Sequence, residues 1–221
     1  MDLRIASDAT GAAAEAADWL AHQLRGAVRR RGVATLAASG GSTPAAMFAA
    51  LAAMDVPWEA VTVFQVDERV APDGDPARNI GLLDVLPSGA TTHAMPVTER
   101  DLVAACGRYA ALLPGRLDVV HLGIGDDGHT ASWPPGDRVA ESTEPVALSS
   151  TYRGHVRMTL TPAVVNAARH RLVLAAGADK ASPLERWLLG DESVPVHHVR
   201  RSDTVVVVDR AAAARLPGMP R

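Results

Sequence analysis

Strand-like apolar runs alternate with helix-like stretches along almost the whole chain, and this alternation limits the fold more than any other feature. The runs at residues 33–38, 61–66, 117–122, 171–176 and 204–208 read as strands, the last being Thr204-Val205-Val206-Val207-Val208. Between and around them, residues 8–31, 45–53, 102–113, 162–168, 180–189 and 210–216 read as helices. Strands that alternate with helices form a mostly parallel sheet covered on its faces. The expected class is therefore α/β, a three-layer, Rossmann-like sandwich. With 221 residues, no internal repeat and no long linker, one domain over 1–221 is expected. The Pro/Gly-containing stretches 71–77 and 133–137 are too short to separate domains, and they are expected to be loops of the functional site.

Composition supports a packed core and removes several partner classes. Hydrophobic residues make up 48% and charged residues 21%, the balance of a folded chain. A net charge of −3, with no basic run beyond Arg29-Arg30-Arg31, argues against nucleic acid. The single cysteine, Cys106, excludes an internal disulfide and suits a reducing compartment, with a place in the core expected for it. No stretch approaches the roughly 20 apolar residues that cross a bilayer. The start, Met1-Asp2-Leu3-Arg4, is unlike a secretory leader. No membrane association and a cytoplasmic location are expected.

Three of the expected strands end in loops that carry chemistry. Gly123-Ile124-Gly125-Asp126-Asp127-Gly128-His129-Thr130-Ala131-Ser132 follows the 117–122 run, combining three glycines with a carboxylate and an imidazole two residues apart. Ser39-Gly40-Gly41-Ser42-Thr43-Pro44 joins a strand to a helix. Thr43 suits the N-cap and Pro44 the first helical position, so free N–H groups and a positive dipole end face an anion there. It has neither the Walker lysine nor GxGxxG spacing, which argues against an NTPase or a dinucleotide site. Asp67-Glu68-Arg69 ends the 61–66 run, with Arg78-Asn79 shortly after it. In a parallel sheet all three loops leave the same edge.

Taken in order, Ser39-Gly40-Gly41-Ser42-Thr43-Pro44, Asp67-Glu68-Arg69, the Gly123–Ser132 motif, Arg157-Met158-Thr159-Leu160-Thr161 and Gly177-Ala178-Asp179-Lys180-Ala181 resemble the 6-phosphogluconolactonases. The resemblance covers nearly the whole chain. It implies a fold of the glucosamine-6-phosphate isomerase/deaminase type. It also implies hydrolysis of 6-phospho-D-glucono-1,5-lactone to 6-phosphogluconate, the second step of the oxidative pentose phosphate pathway, with no metal and no cofactor. Two positions depart from the family pattern. Ser132-Trp133-Pro134-Pro135 replaces a common Ser-Leu-Phe-Pro, and Arg78-Asn79 replaces Ser-Asn, which is expected to add a cation near the site.

For that reaction His129 is the expected general base, since an imidazole titrates at about pH 6.5 and accepts a proton from water. Asp127 is expected to orient that ring or to shape the loop, and Arg69 to stabilise the oxyanion. Gly40, Gly41, Ser42 and Thr43 are expected to hold the phosphate with Arg157 and Lys180, and Asp67 and Asn79 to contact the sugar. Lys180 opposes the dipole of the helix it begins, which a bound anion would explain. His121 is expected to be a packed or satisfied core residue, and His197-His198 lacks further ligands for a metal. The expected partner is a small sugar-phosphate lactone, and the chain is expected to be a monomer or homodimer. The nearest rivals are a glucosamine-6-phosphate deaminase and a non-catalytic sugar-phosphate sensor. Deaminases of this fold typically carry a glutamate five positions after the histidine, where this chain has Pro134. A sensor would carry a helix-turn-helix, and the residues before Gly32 offer one Ala-rich helix.

Overall fold

A computed structural model of the chain describes residues 1–41 and 43–218. The elements run β1 (Asp2–Ala6), α1 (Ala9–Arg31), β2 (Ala34–Ala38), α2 (Thr43–Ala52), β3 (Val61–Gln65), β4 (Asp67–Arg69), β5 (Thr91–His93), α3 (Leu102–Leu112), β6 (Val119–Gly123), β7 (Val146–Leu148), β8 (Arg157–Leu160), α4 (Pro162–Ala167), β9 (His170–Ala175), α5 (Ala181–Leu189) and β10 (Thr204–Asp209). Among the described residues, no helix is long and apolar enough to cross a membrane.

Seven strands pair in the order β1-β10-β9-β6-β2-β3-β5, every pairing parallel. From β2 the chain moves outward through β3 to β5. It then returns to β6 on the other side of β2 and moves outward through β9 to β10. Strand order thus reverses between the neighbours β2 and β6, where departing loops diverge and leave a crevice at the carboxyl ends. A smaller antiparallel sheet, β4-β8-β7, stands beside that crevice.

Side chains of the large sheet alternate between two apolar cores, which makes the fold three-layered. On one face Leu36, Val63, Val119, Leu172 and Val207 pack against α1 and α2. On the other, Phe64, Val120, Leu122, Val173 and Val206 meet Tyr109 of α3, Val165 of α4 and Trp187 of α5. The period of two along Val205–Val208 follows from the pleat. α1 begins at Asp8, whose carboxylate accepts the Gly11 N–H at 2.8 Å, and ends at Gly32 in the left-handed region at φ 78°. Its buried stripe of Ala12, Ala13, Ala16, Ala17 and Ala21 has little bulk, so the helix lies close to the sheet. Cys106 is buried in α3.

Several elements differ from expectation. The residues expected to form a closing helix, 210–216, form successive turns instead. The Asp209 carboxylate binds the N–H groups of Ala212 and Gly177 there, and Pro217 follows at once, leaving too few residues to offset helix nucleation. Thr43 is the first residue of α2 and not its cap. A three-residue 3₁₀ turn, Ala178–Lys180, precedes α5. β1, and the three-residue strands β4, β5 and β7, carry too little periodic pattern to be read ahead of the structure.

His121 is packed in the core as expected, edge-on to Phe48 at 5.5 Å between ring centroids, but neither ring nitrogen has a hydrogen-bond partner. Burial lowers its imidazole to about 3, against roughly 6.5 in an unfolded chain. Between those values the unfolded state binds the extra proton, so stability is intact above pH 6.5 and falls as pH drops toward 3, by up to about 1.4 kcal/mol per pH unit. His121→Leu is expected to remove that decline, read from urea midpoints at about pH 7 and about pH 4.5. Equal losses in the two proteins would contradict this account.

Candidate active site

Glu68 organises one wall of the crevice. Its side chain is fully buried. Oε1 accepts the N–H groups of Arg69 and Asn79 at 2.8 and 2.7 Å, and Oε2 accepts those of Gln65 Nε2 and Ile80, both at 2.9 Å. Arg78 Nε lies 3.2 Å from Oε2 and supplies the countercharge. A buried carboxylate with this many donors is stable only because each lone pair is used. The effect is to fold residues 69–80 back along β4. The cation expected near the site from Arg78 is therefore not there: Arg78 is spent on Glu68 and Asp73.

Arg69 and Asn79 do face the crevice. Arg69 Nη1 donates to Asn79 Oδ1 at 3.0 Å and to the Ala77 carbonyl, while Asn79 Nδ2 donates to the Asp67 carbonyl at 3.2 Å. Gly40 allows this arrangement, because a Cβ there would sit 2.3 Å from Asn79 Cγ. Asp67 is buried and accepts the Ser132 hydroxyl at 2.6 Å. Burial raises its carboxyl above the usual range, against the pull of Ser132 and Arg157. β4 pairs with β8 in a register that sets Arg69 opposite Arg157, two cations side by side. Burial, and then Arg69, lower the Arg157 guanidinium from its ordinary value.

The loop after β6 forms the opposite wall. Gly125 N donates to the His129 carbonyl at 2.7 Å and closes the loop on itself. A Cβ at Gly125 would lie 1.9 Å from His129 Nδ1, so only glycine leaves room for the ring. Asp127 Oδ1 stands 2.6 Å from His129 Nδ1 and also accepts the His129 backbone N–H at 3.1 Å. Its Oδ2 accepts the Tyr152 hydroxyl at 2.5 Å. Partial burial pushes the Asp127 carboxyl up, but the bonds from Tyr152 and His129 outweigh it and hold it at about 2. Arg153 pairs with Asp126 at 2.5 Å.

These walls enclose a cleft of about 170 Å³. Of the residues singled out from sequence, it is lined by His129, Arg69, Gly40, Gly41, Thr43, Asp67, Asn79, Arg157 and Lys180. Asp127 stands behind His129 rather than in the lining, and Ser42 lies outside the described residues. Lys180 sits in the 3₁₀ turn before α5, its Nζ 2.8 Å from Asp179. The stretches 71–77 and 133–137, expected to be site loops, do not line the cleft. The first is drawn away with Arg78, and in the second Trp133 is fully buried with its Nε1 donating to the Leu160 carbonyl at 2.8 Å. Sequence reading gave Glu68 no role within the Asp67-Glu68-Arg69 motif and missed Tyr152 and Arg153. The donor atoms of Asp126, Asp127 and His129 lie within 4.8 Å of one another, close enough for a cation. Both Asp127 oxygens and Asp126 Oδ1 are already engaged by Tyr152, His129 and Arg153, so these donors serve contacts within the protein.

Comparison with known proteins places this geometry. Residues 7–208 match the family model described as glucosamine-6-phosphate isomerases/6-phosphogluconolactonase. A 6-phosphogluconolactonase of Mesorhizobium japonicum is 36% identical over 81% of this chain and 82% of its own length. One of a Nostoc species is 31% identical over 97% and 98%. The crystal structure of a 6-phosphogluconolactonase from Shewanella baltica superposes with a TM-score of 0.87 at 27% identity, covering 95% of this chain and 97% of that one.

Replacing Glu68 by glutamine leaves buried donors facing an amide NH₂ and Arg78 without its buried countercharge. Glu68→Gln is expected to lower the unfolding free energy by roughly 3 kcal/mol in denaturant titration. A loss below about 1 kcal/mol would show that the residue 69–80 fold does not depend on this carboxylate.

Proposed function

The chain belongs to the glucosamine-6-phosphate isomerase/6-phosphogluconolactonase family, and from that premise we propose that it hydrolyses 6-phospho-D-glucono-1,5-lactone to 6-phospho-D-gluconate. The observation that carries this reading is the Asp127–His129 pair, which stands across one cleft from the Gly40–Thr43 loop and its neighbouring cations. The enzyme acts as a single domain, as a monomer or homodimer and without metal or cofactor. The lone, buried Cys106 supports a reducing compartment, and the cytoplasm is the location proposed.

His129 Nδ1 is engaged by Asp127, so Nε2 is the nitrogen left to take a proton from water. The water oxygen adds to the lactone carbonyl carbon, and the carbonyl electron pair becomes an oxyanion facing Arg69. That guanidinium is already fixed by Asn79 and Ala77 and reorganises little as charge develops. Collapse breaks the bond to the ring oxygen, which takes its proton from the His129 imidazolium. Asp67 and Asn79 contact the sugar. The phosphate lies at the start of α2, on Gly40, Gly41 and Thr43, with Arg157 and Lys180 as countercharges; Ser42, expected to join them, lies outside the described residues.

Deamination of an amino-sugar phosphate is the related alternative in this family. Pro134, buried beside Trp133, stands where deaminases of this fold carry a glutamate, and it has no proton to exchange.

His129→Ala is expected to lose at least about a hundredfold of the turnover of freshly prepared lactone, measured above spontaneous hydrolysis. It should still bind 6-phosphogluconate in calorimetry. Wild-type turnover in this variant would refute the assignment, and ammonia released from glucosamine 6-phosphate would favour deamination. Gly40→Ala, which displaces Asn79 from Arg69, is expected to lower kcat/KM by about tenfold or more in the same assay. An unchanged value would remove Arg69 from the mechanism.

A further inference from the structure

Residues 152–155 form a tight turn that nothing in the lactonase reading requires. Tyr152 N donates to the His155 carbonyl at 2.9 Å and His155 N to the Tyr152 carbonyl at 3.2 Å. Both central residues have positive φ, Arg153 at 49° and Gly154 at 87°. This is the geometry of a two-residue hairpin turn, with an arginine at a position that suits asparagine or glycine. A non-glycine residue held in the left-handed region costs about 1 kcal/mol or more and often marks a functional constraint. Here the tip is held against the site from two sides. Arg153 pairs with Asp126, and two guanidinium groups stand over the Tyr152 ring, Arg153 at 5.2 Å and Arg157 at 5.1 Å from its centroid.

Held this way, the Tyr152 hydroxyl reaches Asp127 Oδ2 at 2.5 Å, while Asp127 Oδ1 faces His129 Nδ1 at 2.6 Å. The same hydroxyl is 3.2 Å from Nδ1. We propose that Tyr152 is a positioning residue: by donating to Asp127 it fixes the carboxylate and shares its charge, so that His129 stays a neutral imidazole with its proton on Nδ1 and Nε2 open to the cleft. The roles along the chain are set by the acid–base character of its ends. The phenol is pushed up to about 12, first by partial burial and then by Asp127, so it is a donor throughout the working range. The carboxylate, at about 2, is an acceptor only. Nδ1 must then supply the proton between Asp127 and the ring. Without the phenol, the full carboxylate charge would fall on the imidazole and stabilise its protonated form. The other charged groups around the ring are Asp126 on its own loop, Asp67 of β4 and Arg153 of the turn, with Arg69, Arg157 and Lys180 lining the same cleft.

The catalytic consequence rests on His129 being the base of the proposed hydrolysis, but the positioning itself can be read without activity. Tyr152→Phe keeps the ring beneath the two arginines and removes only the hydroxyl, at a half-buried turn that accepts phenylalanine. In ¹⁵N-detected histidine spectra of the full chain, with His129→Gln assigning the signal, the wild-type ring is expected neutral with its proton on Nδ1. In Tyr152→Phe its protonation midpoint is expected to rise by about half a pH unit or more, roughly threefold in proton affinity. With freshly prepared lactone, kcat should fall about tenfold at neutral pH with KM within about twofold, and the acid limb of the profile should move to higher pH. In an Asp127→Asn background the same tyrosine change should add nothing, since the effect passes through the carboxylate. Coincident midpoints in wild type and Tyr152→Phe, or a further shift in the Asp127→Asn background, would overturn the proposal. A shifted midpoint in a protein that fails to hydrolyse the lactone would uphold the positioning and refute the activity.

Discussion

The reversal of strand order between β2 and β6 is the constraint on which the remainder depends. Two neighbouring parallel strands send their chains in opposite directions, so the loops after them separate at the carboxyl edge. Gly40, Gly41 and Thr43 stand on one side of that gap and the loop carrying Asp127 and His129 on the other. No local feature of either loop would create a cleft on its own. The positions follow from a backbone arrangement held by two apolar cores, whose edge reaches the cleft at Ile124, Ala131 and Leu174.

The small antiparallel sheet contributes a different kind of order. It carries Asp67 and Arg69 on β4 and Arg157 on β8 as fixed register partners, and the buried Glu68 carboxylate gathers Gln65, Arg69, Arg78, Asn79 and Ile80 around them. One acidic side chain thereby sets the direction of its neighbour, Arg69, and of Asn79 eleven residues away. The geometry of this wall depends on a residue with no place in the cleft.

Much of this was legible in the sequence because it is written in short-range pattern. Five of the six longer parallel strands, all but β1, show as apolar runs, and glycine-rich or charged loops follow three of them directly, so the grouping of His129, Arg69 and the 40–43 stretch at one edge could be inferred. What escaped is long-range or chemically ambiguous. Tyr152 meets Asp127 across twenty-five positions of chain, with no periodicity to relate them. Arg78 reads as a site cation until Glu68 is seen to claim it. Alanine-rich 210–216 has high helix propensity, yet Asp209 and Pro217 confine it to turns. Pro134 was informative for a simple reason: a proline can be excluded from proton transfer wherever it lies.

The pairing of β4 with β8 leaves two guanidinium groups facing one another across the wall of the cleft. Like charges opposed across strands weaken a sheet, and partial burial deprives them of some of the water that would screen them. Negative charge brought up beside either of them offsets that repulsion. On the proposed reading a bound sugar phosphate becomes a missing structural member of the small sheet, and the wall that carries both cations is relieved of their repulsion when the cleft is filled.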